Sequence, residues 1–218
     1  MRQSLFEDRR DAGLRLADRL ASLAGEGALV LGLARGGVPV AAEVAARIDG
    51  ELDVLGVRKL GAPGSPELAI GAVTASGGRY LNEDIIHELG VRDDYVARVS
   101  EEETAEALRL EARLRGPRPG PRVEGRLVIL VDDGLATGAT MRAAARAVRR
   151  QQPRRLVIAV PVGSEPGCRE VAEEADEMIC LHAPDPFWAV GLYYEHFDPV
   201  ADEDVRALLE HSSPTVRR

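Results

Sequence analysis

The chain has 218 residues, 45% hydrophobic and 29% charged, a mixture that suits one globular domain with a buried sheet. Its net charge of −8 excludes a generic nucleic-acid binder, which would carry a basic face, but leaves room for a local positive pocket. No apolar run approaches the roughly 20 residues of a membrane span, and the charged segment Met1 to Arg10 lacks a signal-peptide core, so the expected location is cytoplasmic.

In chain order, Phe6, Gly13, Leu16, Leu20 and Leu23 share one face of a helix expected over residues 5–23. The apolar run Ala28 to Leu33 reads as a buried strand, Arg35-Gly36-Gly37 as a turn, and Val38 to Ile48 as a helix with Pro39 in its first turn. Leu52 to Val57 reads as a second strand. Strand, turn, helix and strand in this order make a βαβ unit and predict a parallel sheet. Leu60 to Leu68, rich in Gly and Pro, is expected to lack regular structure. Ala69 to Thr74 and Arg79 to Leu81 are expected to pair as a hairpin.

A charged helix carrying Val96, Val99, Ala107, Leu110 and Leu114 follows, with Glu101 to Glu103 on its solvated side. Beyond the Pro/Gly-rich linker 116–121 come a strand at Arg126 to Val131, a helix at Gly138 to Arg150, and strands at Leu156 to Val160 and Glu177 to Leu181. A helix over about 165–175 joins those two strands. Asp202 is placed to cap a last helix, and 212–218 is expected to be a disordered tail. The domain is therefore expected to span 1–211. Cys168 and Cys180 make neither a disulfide framework nor a zinc site and are expected to be reduced thiols. The four histidines show no metal-ligand spacing.

The most informative segment runs from Val128 to Thr140. An apolar strand ends in Asp132 and Asp133. A loop of small and hydroxyl residues, Gly134-Leu135-Ala136-Thr137-Gly138, follows, and then a helix opens at Ala139 and Thr140. The unpaired N–H groups of a helix start favour a phosphate, and open α/β sheets bind ligands at the carboxyl ends of their strands. Two adjacent acids are costly to bury alone. Vicinal ribose hydroxyls would satisfy them, and so would a role as a helix cap.

This segment closely resembles the signature of type I phosphoribosyltransferases. Arg35-Gly36-Gly37 resembles the pyrophosphate loop of that family, and Arg58-Lys59 the basic pair that contacts pyrophosphate in adenine-type members. The stretch 60–83 is similar in position to the catalytic lid, and about 182–200, with Phe187 and Trp188, to the hood over the base. The resemblance implies a mainly parallel sheet flanked by helices with a small lid and hood. It also implies Mg²⁺-dependent transfer of a 5-phosphoribosyl group from phosphoribosyl pyrophosphate to a nucleobase-like nitrogen acceptor.

In that reading Arg35, Arg58 and Lys59 place charge on the leaving group, and Asp132 and Asp133 hold the ribose. Residues 134–140 would hold the 5-phosphate, Trp188 would stack on the base, and Glu67 or Glu83 would serve as general base. Magnesium would be held mainly by substrate, with Asp132 or Asp133 reaching it through water. Ala136 departs from members acting on 6-oxopurines, which usually carry Asp there, so guanine and hypoxanthine become less expected acceptors.

A homodimer is the default assembly. The competing expectation is a non-catalytic module that senses phosphoribosyl pyrophosphate or a nucleotide. A P-loop enzyme is excluded because no Gly-x-x-x-x-Gly-Lys-[Ser/Thr] occurs.

Overall fold

The computed structural model describes residues 4–212. The expected elements appear in order, with two that were not expected, a strand at 57–62 and a short helix at 83–88. They are α1 (Arg9–Arg19), β1 (Leu29–Leu33), α2 (Gly37–Ile48), β2 (Glu51–Leu55), β3 (Val57–Ala62), β4 (Ser65–Thr74), β5 (Arg79–Leu81), α3 (Glu83–Glu88) and α4 (Asp93–Arg115). After these come β6 (Leu127–Val131), α5 (Ala139–Arg149), β7 (Arg155–Val162), α6 (Glu165–Ala172), β8 (Glu177–His182) and α7 (Asp202–His211).

Five strands form a parallel sheet in the order β2-β1-β6-β7-β8. Helices cover both faces, so the central strands β1 and β6 are buried along their whole length. Leu16, Val44, Ile48 and Leu209 pack on one face, and Met141, Ala144, Val148 and Val171 on the other. The apolar side expected for the helix after residue 138 is the side α5 buries.

Three boundaries differ for physical reasons. The first helix begins only at Arg9, because Asp8 caps it through the Asp11 N–H at 2.8 Å. Phe6 turns away instead and is buried against Tyr193 and Tyr194. The second strand breaks at Gly56, whose N–H donates to Glu111 of α4 at 2.9 Å. A side chain there would stand 2.5 Å from Ala107 O. The chain passes close under α4 at this point and leaves the parallel sheet.

The third boundary is the segment 60–68, which is ordered. Strands β3 and β4 pair across the Pro63-Gly64 turn, with irregular register near Gly61, and β5 completes a three-stranded antiparallel sheet. Its core of Leu60, Ile70, Val73, Val96 and Val99 is shared with α4. The hairpin expected over 69–81 is present as β4 and β5. The short helix α3 follows Asn82, whose side chain caps it.

Ala201, and not Asp202, is the N-cap of α7, and Asp204 accepts from the Ala201 N–H at 3.2 Å. Ser212 ends α7 by donating to Leu208 O, and residues 213–218 of the expected tail lie outside the described residues. Among the described residues no helix is long and apolar enough to cross a membrane.

Candidate active site

The carboxyl ends of β1 and β6 are neighbours in the sheet, so the turns that follow them meet. After β1, Gly36 and Gly37 run tight against the acid pair. A side chain at Gly36 would overlap the Asp133 carboxylate. One at Gly37 would stand 2.5 Å from Val131 O and 2.9 Å from Asp132 Cα. Only glycine allows this approach, which explains the Gly-Gly step in the sequence.

After β6, Asp132 accepts from the Asp133 N–H at 2.9 Å. Leu135 is then pinned to β7: its N–H donates to Val162 O at 2.9 Å and its carbonyl accepts from Ser164 N–H at 2.8 Å. Gly138 adopts a left-handed φ of 76° and opens α5 without a capping side chain. The first-turn N–H groups of α5 are therefore left to a ligand or to water.

A cavity of about 320 Å³ lies beside this loop, lined by Ala136, Thr137 and Ala139, by Ser164 and Gly167 of the α6 turn, and by Tyr80 of the antiparallel sheet.

Two segments from the ends of the chain close over the acids. Arg9 Nε donates to Asp133 Oδ2 at 2.8 Å, and both side chains are nearly buried. The same guanidinium lies 3.8 Å from the Phe197 ring centroid and donates through Nη1 to Asp198 O at 2.9 Å. The Tyr194 hydroxyl donates to Asp133 O at 2.6 Å. The backbone of Leu5 to Glu7 bonds to Tyr193, Glu195 and His196, which fastens the N-terminal segment to residues 193–196.

Burial pushes the Asp132 carboxyl well above the usual carboxylate range. The charge of Asp133 pushes it further, and the Asp133 N–H, Arg9 and Lys59 oppose the shift. Asp133 is also raised by burial, against the pull of Arg9. Burial raises the Tyr194 phenol, aided by the charge of Asp133.

The candidate residues from sequence thus divide. Gly36, Gly37, Asp132, Asp133 and the loop 134–140 come together, and Lys59 is close enough to act on Asp132. Arg58, next to Lys59 in β3, points the other way and pairs with Glu103 at 2.8 Å. Arg35 turns outward to Asp202 at 2.8 Å. Glu67 lies on the exposed outer part of β4, and Trp188 is 65% exposed on the hood. Arg9 and Phe197 were not singled out by sequence, and Tyr194 was read only as a rim or core residue of the segment that resembles the hood. Arg9 sits in a helix whose pattern reports only packing, so no local signal pointed to it.

This chain matches the phosphoribosyl transferase domain family over residues 11–196. It belongs to the phosphoribosyltransferase family. It is 44% identical over 208 residues to a Mycobacterium tuberculosis H37Rv protein named Putative phosphoribosyl transferase Rv0571c, covering 95% of this chain and 47% of that protein. The chain therefore spans about half the length of the curated relatives it matches. The structure of TT1426 from Thermus thermophilus is similar throughout, with 46% identity, a TM-score of 0.80, and coverage of 94% of this chain and 98% of that one. The matched range includes the stretch 128–140 and the acid pair described above.

Proposed function

We propose that this domain transfers a 5-phosphoribosyl group from phosphoribosyl pyrophosphate to a nitrogen acceptor, most simply a nucleobase, and releases pyrophosphate. The observation that carries the reading is the meeting of the Gly36-Gly37 turn with Asp132 and Asp133 beside an uncapped helix start. A vicinal diol, an anionic leaving group and a terminal phosphate are the three features this arrangement can hold at once.

Each residue then has a stated task. Asp132 and Asp133 accept hydrogen bonds from the ribose hydroxyls, which relieves their burial. Thr137, Thr140 and the first N–H groups of α5 bind the 5-phosphate. The Gly36-Gly37 backbone lets the pyrophosphate approach, and Lys59 supplies positive charge toward it. Arg35 and Arg58 would join only by leaving Asp202 and Glu103. Glu67 could reach the acceptor as general base, and Trp188 could stack on it, if the antiparallel sheet and hood close. The reaction needs positioning and exclusion of water more than covalent help.

The acid pair also suits a divalent ion, since two partly buried carboxylates with raised pKa values are relieved by positive charge. Among the described residues no group of three or more His, Cys, Asp or Glu could hold a metal ion. Mg²⁺ would be held mainly by substrate oxygens, with Asp132 or Asp133 reaching it through water, and would neutralise the departing pyrophosphate.

The test is calorimetric titration of phosphoribosyl pyrophosphate with and without Mg²⁺, followed by a turnover screen of acceptors with adenine and xanthine first. Magnesium-dependent binding and release of pyrophosphate with one acceptor are expected. Absence of binding in both conditions would overturn the reading. The homodimer is likewise a proposal, checked by light scattering.

A further inference from the structure

Cys168 and Cys180 stand twelve positions apart in the sequence, but the fold brings both sulfurs to the backbone around Gly163. Cys168 is on α6 and Cys180 on β8, the edge strand of the parallel sheet. Between them lies Gly163, where the chain leaves β7. A side chain on Gly163 would stand 2.5 Å from Cys168 Sγ. The Gly163 N–H donates to His182 O at 3.0 Å, and Cys180 Sγ lies 3.1 Å from that same oxygen. Both thiols thus flank this bare backbone, and both are half-buried rather than sealed in the core.

The surroundings connect this pair to the phosphate loop. Gly163 is bridged to Leu135. Ser164, the N-cap of α6, donates through Oγ to Ala136 O at 2.5 Å. Gly167, one residue before Cys168, packs its bare Cα against Ala136 O. Any movement of α6 toward β8 therefore pulls on residues 135 and 136.

We infer that Cys168 and Cys180 form a reversible thiol–disulfide site whose oxidation shifts α6 and loosens the loop 134–140. The oxidant class is a hydroperoxide. The Cys168 sulfur attacks the peroxide, breaking its O–O bond and becoming a sulfenic acid as one water leaves. The Cys180 sulfur then displaces the hydroxyl as a second water. In sum, two thiols and one hydrogen peroxide give one disulfide and two waters. The neighbouring Cys180 thiol lowers the pKa of Cys168, which suits Cys168 as the attacking sulfur, while Cys168 and burial raise Cys180 and suit it as the resolving one.

The site itself does not depend on the phosphoribosyl reading, and only its effect on substrate would. The experiment treats the full chain with limited hydrogen peroxide, then maps peptides without reduction and measures hydrogen exchange. The expected result is a peptide carrying Cys168 joined to one carrying Cys180 and loss of both alkylatable thiols. Faster exchange across 134–140 should accompany them, and dithiothreitol should reverse all three. Cys168→Ser and Cys180→Ala should each abolish the linked peptide and the exchange change.

Oxidation that instead leaves oxygenated, unlinked cysteines, links two chains, or forms the bond without altering exchange at 134–140 would overturn the inference. Failure of the phosphoribosyl reading would show separately, as absence of phosphoribosyl pyrophosphate binding by the reduced protein.

Discussion

The floor of the site and its cover are built by different rules. The floor comes from two short turns at adjacent strand ends, 35–37 and 132–140, held by a parallel register that places Gly32 beside Val131. The cover comes from segments far apart in the chain: Arg9 of α1, Lys59 in the antiparallel sheet, and Tyr194 and Phe197 between β8 and α7. The floor uses backbone approach and helix-start N–H groups, which a sequence motif can specify. The cover uses side chains whose value depends on where a distant element docks.

The sharpest way to break this contrast is to remove Arg9. If the cover only shields, its loss should be mild. If Arg9 balances the floor, Arg9→Ala leaves Asp133 nearly buried without its partner, and folding stability should fall by about 3 kcal/mol. Arg9→Ala combined with Asp133→Asn should recover most of that loss. Denaturant melts of the four proteins measure the coupling, and additive effects would show that the contact carries little energy.

Next in size is Asp133→Asn alone. It weakens a charge-assisted hydrogen bond to ribose and should cost about 1.5–3 kcal/mol in phosphoribosyl pyrophosphate affinity, read by calorimetry. Unchanged affinity would remove Asp133 from the proposed ribose contact.

Asp132 sharpens the comparison from the other side. Its pKa is raised, so the folded state binds a proton more readily than the unfolded chain does. The native state is therefore favoured by acid relative to an ordinary aspartate, and the cost of keeping Asp132 charged is fully present only once pH exceeds its folded pKa. Asp132→Asn should stabilise the ligand-free protein at neutral pH, by about 1 kcal/mol or roughly 2–4 °C in Tm. That difference should shrink as pH falls into the range where Asp132 is protonated in the fold. In the wild type, substrate affinity should decline with acid at a higher pH than an ordinary carboxylate would give. Melting curves and titrations across pH check both signs, and a lower Tm for the variant at neutral pH would mean that Asp132 is well solvated.

Most of the parallel sheet was legible in the sequence because its strands are continuous apolar runs and its helices keep a single apolar side, as the buried face of α5 illustrates. The acid pair stood out by itself as two adjacent acids at a strand end, whereas the Gly-Gly turn read only as a strand exit until the resemblance to the family gave it a role. The order within 60–68 was not, because Gly and Pro mark the tight turn at Pro63-Gly64 without revealing that Leu60 and Ile70 would be buried against α4. Arg9 was hidden because an arginine in an amphipathic helix looks like any solvated charge until the helix is docked.

The smallest effect tests a single strand. Neighbouring residues in β3 point to opposite sides, so Arg58 faces α4 while Lys59 lies on the other side, where its charge acts on Asp132. Arg58→Ala breaks a largely exposed ion pair with Glu103 and should change stability by no more than about 0.5 kcal/mol. It should leave phosphoribosyl pyrophosphate affinity unchanged, while Lys59→Ala weakens it. Parallel titrations of the two variants decide the matter. Equal losses would mean that the antiparallel sheet changes its presentation when substrate binds, exchanging Glu103 for pyrophosphate as the partner of Arg58. The cover would then be a moving part of the site, and the fixed shape would belong to the floor alone.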